Sequence, residues 1–135
     1  MFSAQQRDIL RETLEWARHN NGDKVLESYD FSDAPVWDQR NWFSFRDYLI
    51  SFVEEVDSLA DGGQMCGTTA CIAGYIVYIT RHLREEEEPS GEEIGDYAAW
   101  VLEMSEEVSE WLFDDDRLPI AIMNYLEEAL EDDHW

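Results

Sequence analysis

The stretch CGTTACIAGYIVYI, residues 66–79, carries the decision about the fold. From 70 to 79 it is apolar nearly all round. A helix with no polar face must be buried on every side, so these residues predict a central helix over about 68–83, capped by Thr68 or Thr69. Gly67, Ala70, Cys71 and Gly74 recur at spacings of three and four. On a helix that spacing makes one stripe of small side chains, along which a second helix can approach closely. Ile72, Tyr75, Ile76 and Ile79 would then pack elsewhere.

Working outward, the same periodicity finds further helices. Ser3 caps a segment to about Arg18, with Ile9, Leu10, Leu14 and Ala17 at helical spacing. The run NNGDK at 20–24 ends it. Residues 25–43 follow no period, are broken by Pro35, and carry Tyr29, Phe31, Trp37, Trp42 and Phe43; a small β element there fits the pattern. Ser44 opens a second predicted helix with the stripe Phe45, Tyr48, Leu49, Phe52, Val53, Val56, Leu59, stopped at Asp61-Gly62-Gly63. EEEEPSG at 85–91 reads as a solvated linker. Ser90 and Glu93 form a capping-box pattern for a helix to Met104, Ser105 caps a short one, and Pro119 suits the first turn of the last. The prediction is one mainly α domain, residues 1–135, of five or six helices around the buried one.

The 135 residues carry a net charge of −23, and that charge is lopsided. Residues 1–84 hold thirteen acids and eight bases; residues 85–135 hold nineteen acids and a single base, Arg117. Such a field repels nucleic acid and anionic membranes and attracts basic protein surfaces. With 44% hydrophobic residues and six Trp, the chain still has enough apolar surface for a core, which excludes a disordered acidic tail. No apolar run approaches a membrane span. The N-terminal residues lack a basic region followed by an apolar stretch, so no secretory signal is expected. Two cysteines without such a signal predict free thiols and a cytoplasmic location.

Cys66 precedes the predicted helix, where the helix dipole would lower a thiol pKa. A nucleophile needs a base within reach, and His82 would lie roughly 24 Å along the same helix. Zinc fares no better, because the C-x4-C pair stands with three isolated histidines. Cys66, Gly67, Thr68, Cys71 and Gly74 therefore read as a packing motif. No cofactor, metal or catalytic residue is expected, and a Cys66-dependent hydrolase is the weaker alternative.

CGTTACIAGY resembles the Cys-Gly-Thr-x-x-Cys-Ile-Ala-Gly-aromatic signature of small bacterial, plasmid and phage proteins, mostly of unknown function. Ala98, Leu102, Met104-Ser105, Val108 and Leu112-Phe113 resemble a weaker downstream pattern of the same group. The resemblance spans about residues 60–130 and implies a mobile-element setting but no catalytic residues. The extreme acidity departs from that group. It resembles instead phage-encoded DNA-mimic anti-defence proteins.

The acids fall into groups: Glu85, Glu86, Glu87 and Glu88; Glu92, Glu93 and Asp96; Glu103, Glu106, Glu107 and Glu110; Asp114, Asp115 and Asp116; and Glu127, Glu128 and 131–133. On a helix, positions 103, 106, 107 and 110 share a face, and like charges at those spacings repel. Helix stability alone would not select them. Duplex DNA carries about one charge per 1.7 Å of axis, and a rigid row of carboxylates can copy that density. The expected function is a non-enzymatic anti-restriction or anti-CRISPR inhibitor of phage type. Glu85–Glu88, Glu92, Glu93, Glu106, Glu107, Glu110 and Asp114–Asp116 would occupy the basic nucleic-acid-binding surface of a host defence protein. Trp111 or Trp135, if exposed beside them, would anchor the contact. The partner is thus a basic protein, with no direct nucleic-acid or membrane binding. A homodimer through the aromatic-rich face would double the charged surface. The alternatives are an acidic adaptor that binds a basic protein without mimicry, and adaptation to high salt.

Overall fold

The computed structural model describes residues 2–20, 36–37, 43–45, 48–61, 68–81, 93–114 and 117–135. Among them are six helices: α1 (Ala4–Asn20), α2 (Val53–Asp61), α3 (Ile72–Ile79), α4 (Ile94–Val101), α5 (Glu106–Leu112) and α6 (Pro119–Asp132). Four short strands, β1 (Val36–Trp37), β2 (Phe43–Phe45), β3 (Tyr48–Ile50) and β4 (Thr68–Ala70), form one sheet in the order β1-β4-β2-β3. The fold is mainly α, as the sequence predicts. β1 runs parallel to β4, and β2 is antiparallel to both β4 and β3.

α3 is the buried helix. Residues 72–77 are all buried, and Trp16 of α1 stacks on Tyr75 with ring centroids 4.1 Å apart and planes 4° from parallel. The helix is shorter than predicted because the chain enters it from a strand. Thr68 and Thr69 are paired in β4, and Cys71 is the N-cap; its Sγ accepts the Gly74 N–H at 3.5 Å. The small-residue stripe is therefore not a helical stripe. Ala70 belongs to β4, Cys71 and Gly74 belong to the first turn of α3, and Gly67 with Cys66 lies outside the described residues. What survives is a packing joint, with Ala70, Cys71 and Ala73 buried where strand passes into helix. In a Cys66→Ser chain, the Cys71 thiol should resist an aromatic disulfide reagent in the native state and react fully in urea. Rapid native labelling would contradict that burial.

The helix predicted from Ser44 begins only at Val53. Residues 43–45 and 48–50 pair as antiparallel strands β2 and β3, with Phe43 opposite Ile50 on one side and Ala70 on the other. All three are buried, whereas Leu49 is 64% and Phe52 45% exposed. The apolar residues there fit both a 3.6-residue and a two-residue period. Pairing with β4 selects the second, because it satisfies backbone groups and puts Phe43 and Ile50 inside together. β1 and the start of β2 fall within the β element expected in 25–43; residues 25–35 and 38–42 lie outside the described residues.

Caps set the remaining helices. Ser3 and Gln6 form a reciprocal capping box at α1, the Ser3 N–H donating to Gln6 Oε1 at 3.0 Å and the Gln6 N–H to Ser3 Oγ at 3.1 Å. The N-cap of α4 is Glu93, whose side chain makes no capping hydrogen bond; Ser90 lies outside the described residues. The backbone N–H of Ile94 instead donates to Ser51 at 2.9 Å, tying α4 to the end of β3. Ser105 caps α5 through the Val108 N–H, and Pro119 opens α6, both as predicted.

The two ends of the chain are clasped. Arg7 donates to Asp133 Oδ1 at 2.6 Å, Phe2 packs edge-on against Trp135, and the Phe2 N–H donates to the Asp133 carbonyl. The hydrogen bond from Arg7 holds the Asp133 carboxyl below its ordinary pKa against a smaller opposing effect of burial, with help from the Arg7 charge. A carboxylate depressed in the native state stabilises it above the unfolded value, and the contribution is lost as pH falls through the native one. Stability should therefore fall more steeply below about pH 4 in the wild type than in Asp133→Asn. Parallel acid titrations followed by circular dichroism would test this, and superimposable curves would contradict it.

Candidate functional site

α4 and α5 form the frame for the acidic surface. α4 buries Ile94, Tyr97 and Ala98, the i, i+3, i+4 face of the helix, so its other side is left to solvent. Glu93 and Asp96 are exposed there. After Val101 the chain turns at Leu102 and reverses at Glu103, which has a left-handed φ of 52°. Ser105 then starts α5, on which Glu106, Glu107 and Glu110 are all exposed. Glu103 thus sits in the turn between the helices and is not on the face that 106, 107 and 110 share.

A shallow groove of about 280 Å³ lies between the two helices, lined by Glu93, Gly95, Asp96, Ala99, Ser109, Glu110 and Phe113. It brings together Glu93 and Glu110 of the predicted set and adds Asp96. Asp114 is half-buried just after α5, with Arg117 Nη2 3.7 Å from its Oδ2. Glu85, Glu86, Glu87, Glu88, Glu92, Asp115 and Asp116 lie outside the described residues.

The acids are not equally free. On α6, Glu127 meets Arg18 of α1 at 3.3 Å, and Asp133 at the C-cap of α6 meets Arg7. Among the described residues no arginine or lysine pairs with Glu93, Asp96, Glu103, Glu106, Glu107 or Glu110. Glu106 and Glu107 gain from the α5 dipole, since both lie in its first turn. Glu110 lies near the other end, where a carboxylate opposes the dipole, so the fold gives it no stabilising role.

The predicted aromatic anchors are both engaged inside the protein. The Arg117 guanidinium lies 4.3 Å from the centroid of the Trp111 ring, which also packs against Tyr125. Trp135 Nε1 donates to the Leu102 carbonyl at 2.9 Å. Among the described residues the exposed indole is Trp100, 68% accessible on the outer side of α4. Its position off the 94, 97, 98 stripe is visible in the sequence once the helix is placed. Among the described residues no group of three or more His, Cys, Asp or Glu side chains is arranged to hold a metal ion, and no helix is long and apolar enough to cross a membrane. No family model, no curated protein and no solved structure matches the chain.

Proposed function

We propose that the protein is a non-enzymatic inhibitor whose acidic α4–α5 surface occupies the nucleic-acid-binding surface of a basic protein. The observation that carries this reading is the set of six exposed carboxylates, Glu93, Asp96, Glu103, Glu106, Glu107 and Glu110, without a described cation partner. Like charges held close on a rigid frame cost stability, and a basic partner removes that cost on binding. The phage-type setting suggested by the cysteine motif makes a host defence protein, of restriction or CRISPR type, the expected target. Glu85–Glu88, Glu92, Asp115 and Asp116 would extend the same surface.

The test is capture from host lysate with the tagged full chain at about 0.15 M and about 1 M salt, where the Debye length falls from about 8 Å to about 3 Å. A nucleic-acid-binding protein released at high salt and displaced by duplex DNA or RNA supports mimicry. A basic partner that neither nucleic acid displaces supports the adaptor reading instead. A partner held equally well at both salts overturns both.

A further inference from the structure

The ends of α4 and α5 carry the same short arrangement. Trp100-Val101-Leu102-Glu103 closes α4, and Trp111-Leu112-Phe113-Asp114 closes α5. In each, the Trp is the penultimate helical residue, the third residue is the C-cap, and the acid follows it. The two C-caps have nearly the same backbone, φ −101° and ψ 6° at Leu102 against φ −96° and ψ 7° at Phe113.

The α5 copy is filled. Arg117 lies over the Trp111 ring at 4.3 Å, reaches Asp114 at 3.7 Å, and its Nε donates to the Trp111 carbonyl at 3.1 Å. A planar guanidinium suits such a place because it can face an aromatic ring and still donate at its edge. The α4 copy has an indole that is 68% exposed and no described arginine. Asp96 and Glu93, one and two turns before Trp100, add carboxylates on the same side of the helix. The copies also differ at the acid, where only Glu103 has a positive φ. Its N–H donates to the Trp100 carbonyl at 3.1 Å. An arginine at Trp100 would therefore bond carboxylate and ring, and not the helix end.

We propose that Trp100 and Glu103 form a receptor for an arginine side chain of the protein partner, equivalent to the one Arg117 fills within the chain. This rests on the reading that the acidic surface meets a basic protein, and it makes that recognition selective for arginine over lysine. An ammonium satisfies a carboxylate as a point charge but lacks the planar face and the fork of donors. The contact also supplies a stacked anchor that salt screens less than an exposed ion pair.

The test is calorimetric titration of the full chain with hexa-arginine and with hexa-lysine at about 0.15 M salt. Hexa-arginine should bind more tightly, and Trp100→Ala should weaken it about two- to five-fold while leaving hexa-lysine nearly unchanged. Trp100→Tyr should restore part of the loss, and Glu103→Gln should weaken hexa-arginine more than hexa-lysine. Trp100 is exposed, so Trp100→Ala should keep the wild-type circular dichroism. Equal binding of both peptides with no effect of Trp100→Ala overturns the receptor and leaves the acidic-surface reading standing. An arginine preference that survives Trp100→Ala also overturns it. No binding of either peptide overturns both readings.

Discussion

Trp16→Ala should cost about 3–5 kcal/mol of folding stability, the range for truncating a large buried aromatic. Trp16 and Tyr75 are almost fully buried, and their stacked rings join α1 to α3. Removing the indole leaves a cavity against the central helix and ends a ring contact that adds about 0.5–1.5 kcal/mol beyond its area. Domains of this size hold about 5–15 kcal/mol in all. The urea midpoint should accordingly fall by about 2 M at a slope of about 2 kcal/mol per M. Circular dichroism is the readout, because the substitution removes a fluorophore. Trp16→Phe should lose much less, since a ring still covers Tyr75. A midpoint unchanged in Trp16→Ala would mean that α1 does not seal α3.

Reversing Glu106, Glu107 and Glu110 to lysine should weaken binding to the captured partner by about a hundredfold or more. Each exposed ion pair contributes only about 0–1 kcal/mol, so a single reversal should change affinity modestly. Three together change the net charge by six and set like charges against a basic surface, a juxtaposition that costs several kcal/mol. The dependence of affinity on salt should become shallower as well. The fold should tolerate the change. Lysines at 106 and 107 oppose the α5 dipole by about 0.3–1 kcal/mol each, but the lysine at 110 favours it and the local repulsion among carboxylates ends. Wild-type affinity in a triple variant with unchanged circular dichroism would remove α5 from the interface.

Much of the helical fold is legible in the chain. Ser3, Ser105 and Pro119 announce helix starts because each solves a local problem, an unpaired N–H or a missing one, within a few residues. The apolar run at 72–77 announces burial because no orientation could keep it partly wet. The β2–β3 pair was not legible in the same way. Phe45, Tyr48 and Leu49 fit a helical stripe, yet they are strand, because residues 43–45 pair with 68–70, more than twenty positions away, and with 48–50 on the other side. The same long-range pairing shortens α3 and turns Cys71 from a stripe member into a cap.

The acidic surface divides along the same line. Sequence alone determined that the C-terminal third is densely negative, with Arg117 its single base, because charge is a property of composition. Which acids remain without a described cation was decided by tertiary structure. Packing α1 beside α6 gives Arg18 to Glu127 and Arg7 to Asp133, while among the described residues no arginine or lysine pairs with the acids of α4 and α5. The fold also decided which of the described indoles is exposed. Trp111 is covered because Arg117 folds back over it, and Trp135 because its N–H reaches Leu102. Trp100 stays outside because the face of α4 that packs inward is the one carrying Ile94, Tyr97 and Ala98. Local sequence sets what each helix can present; the contacts between distant segments set what is left for a partner to meet.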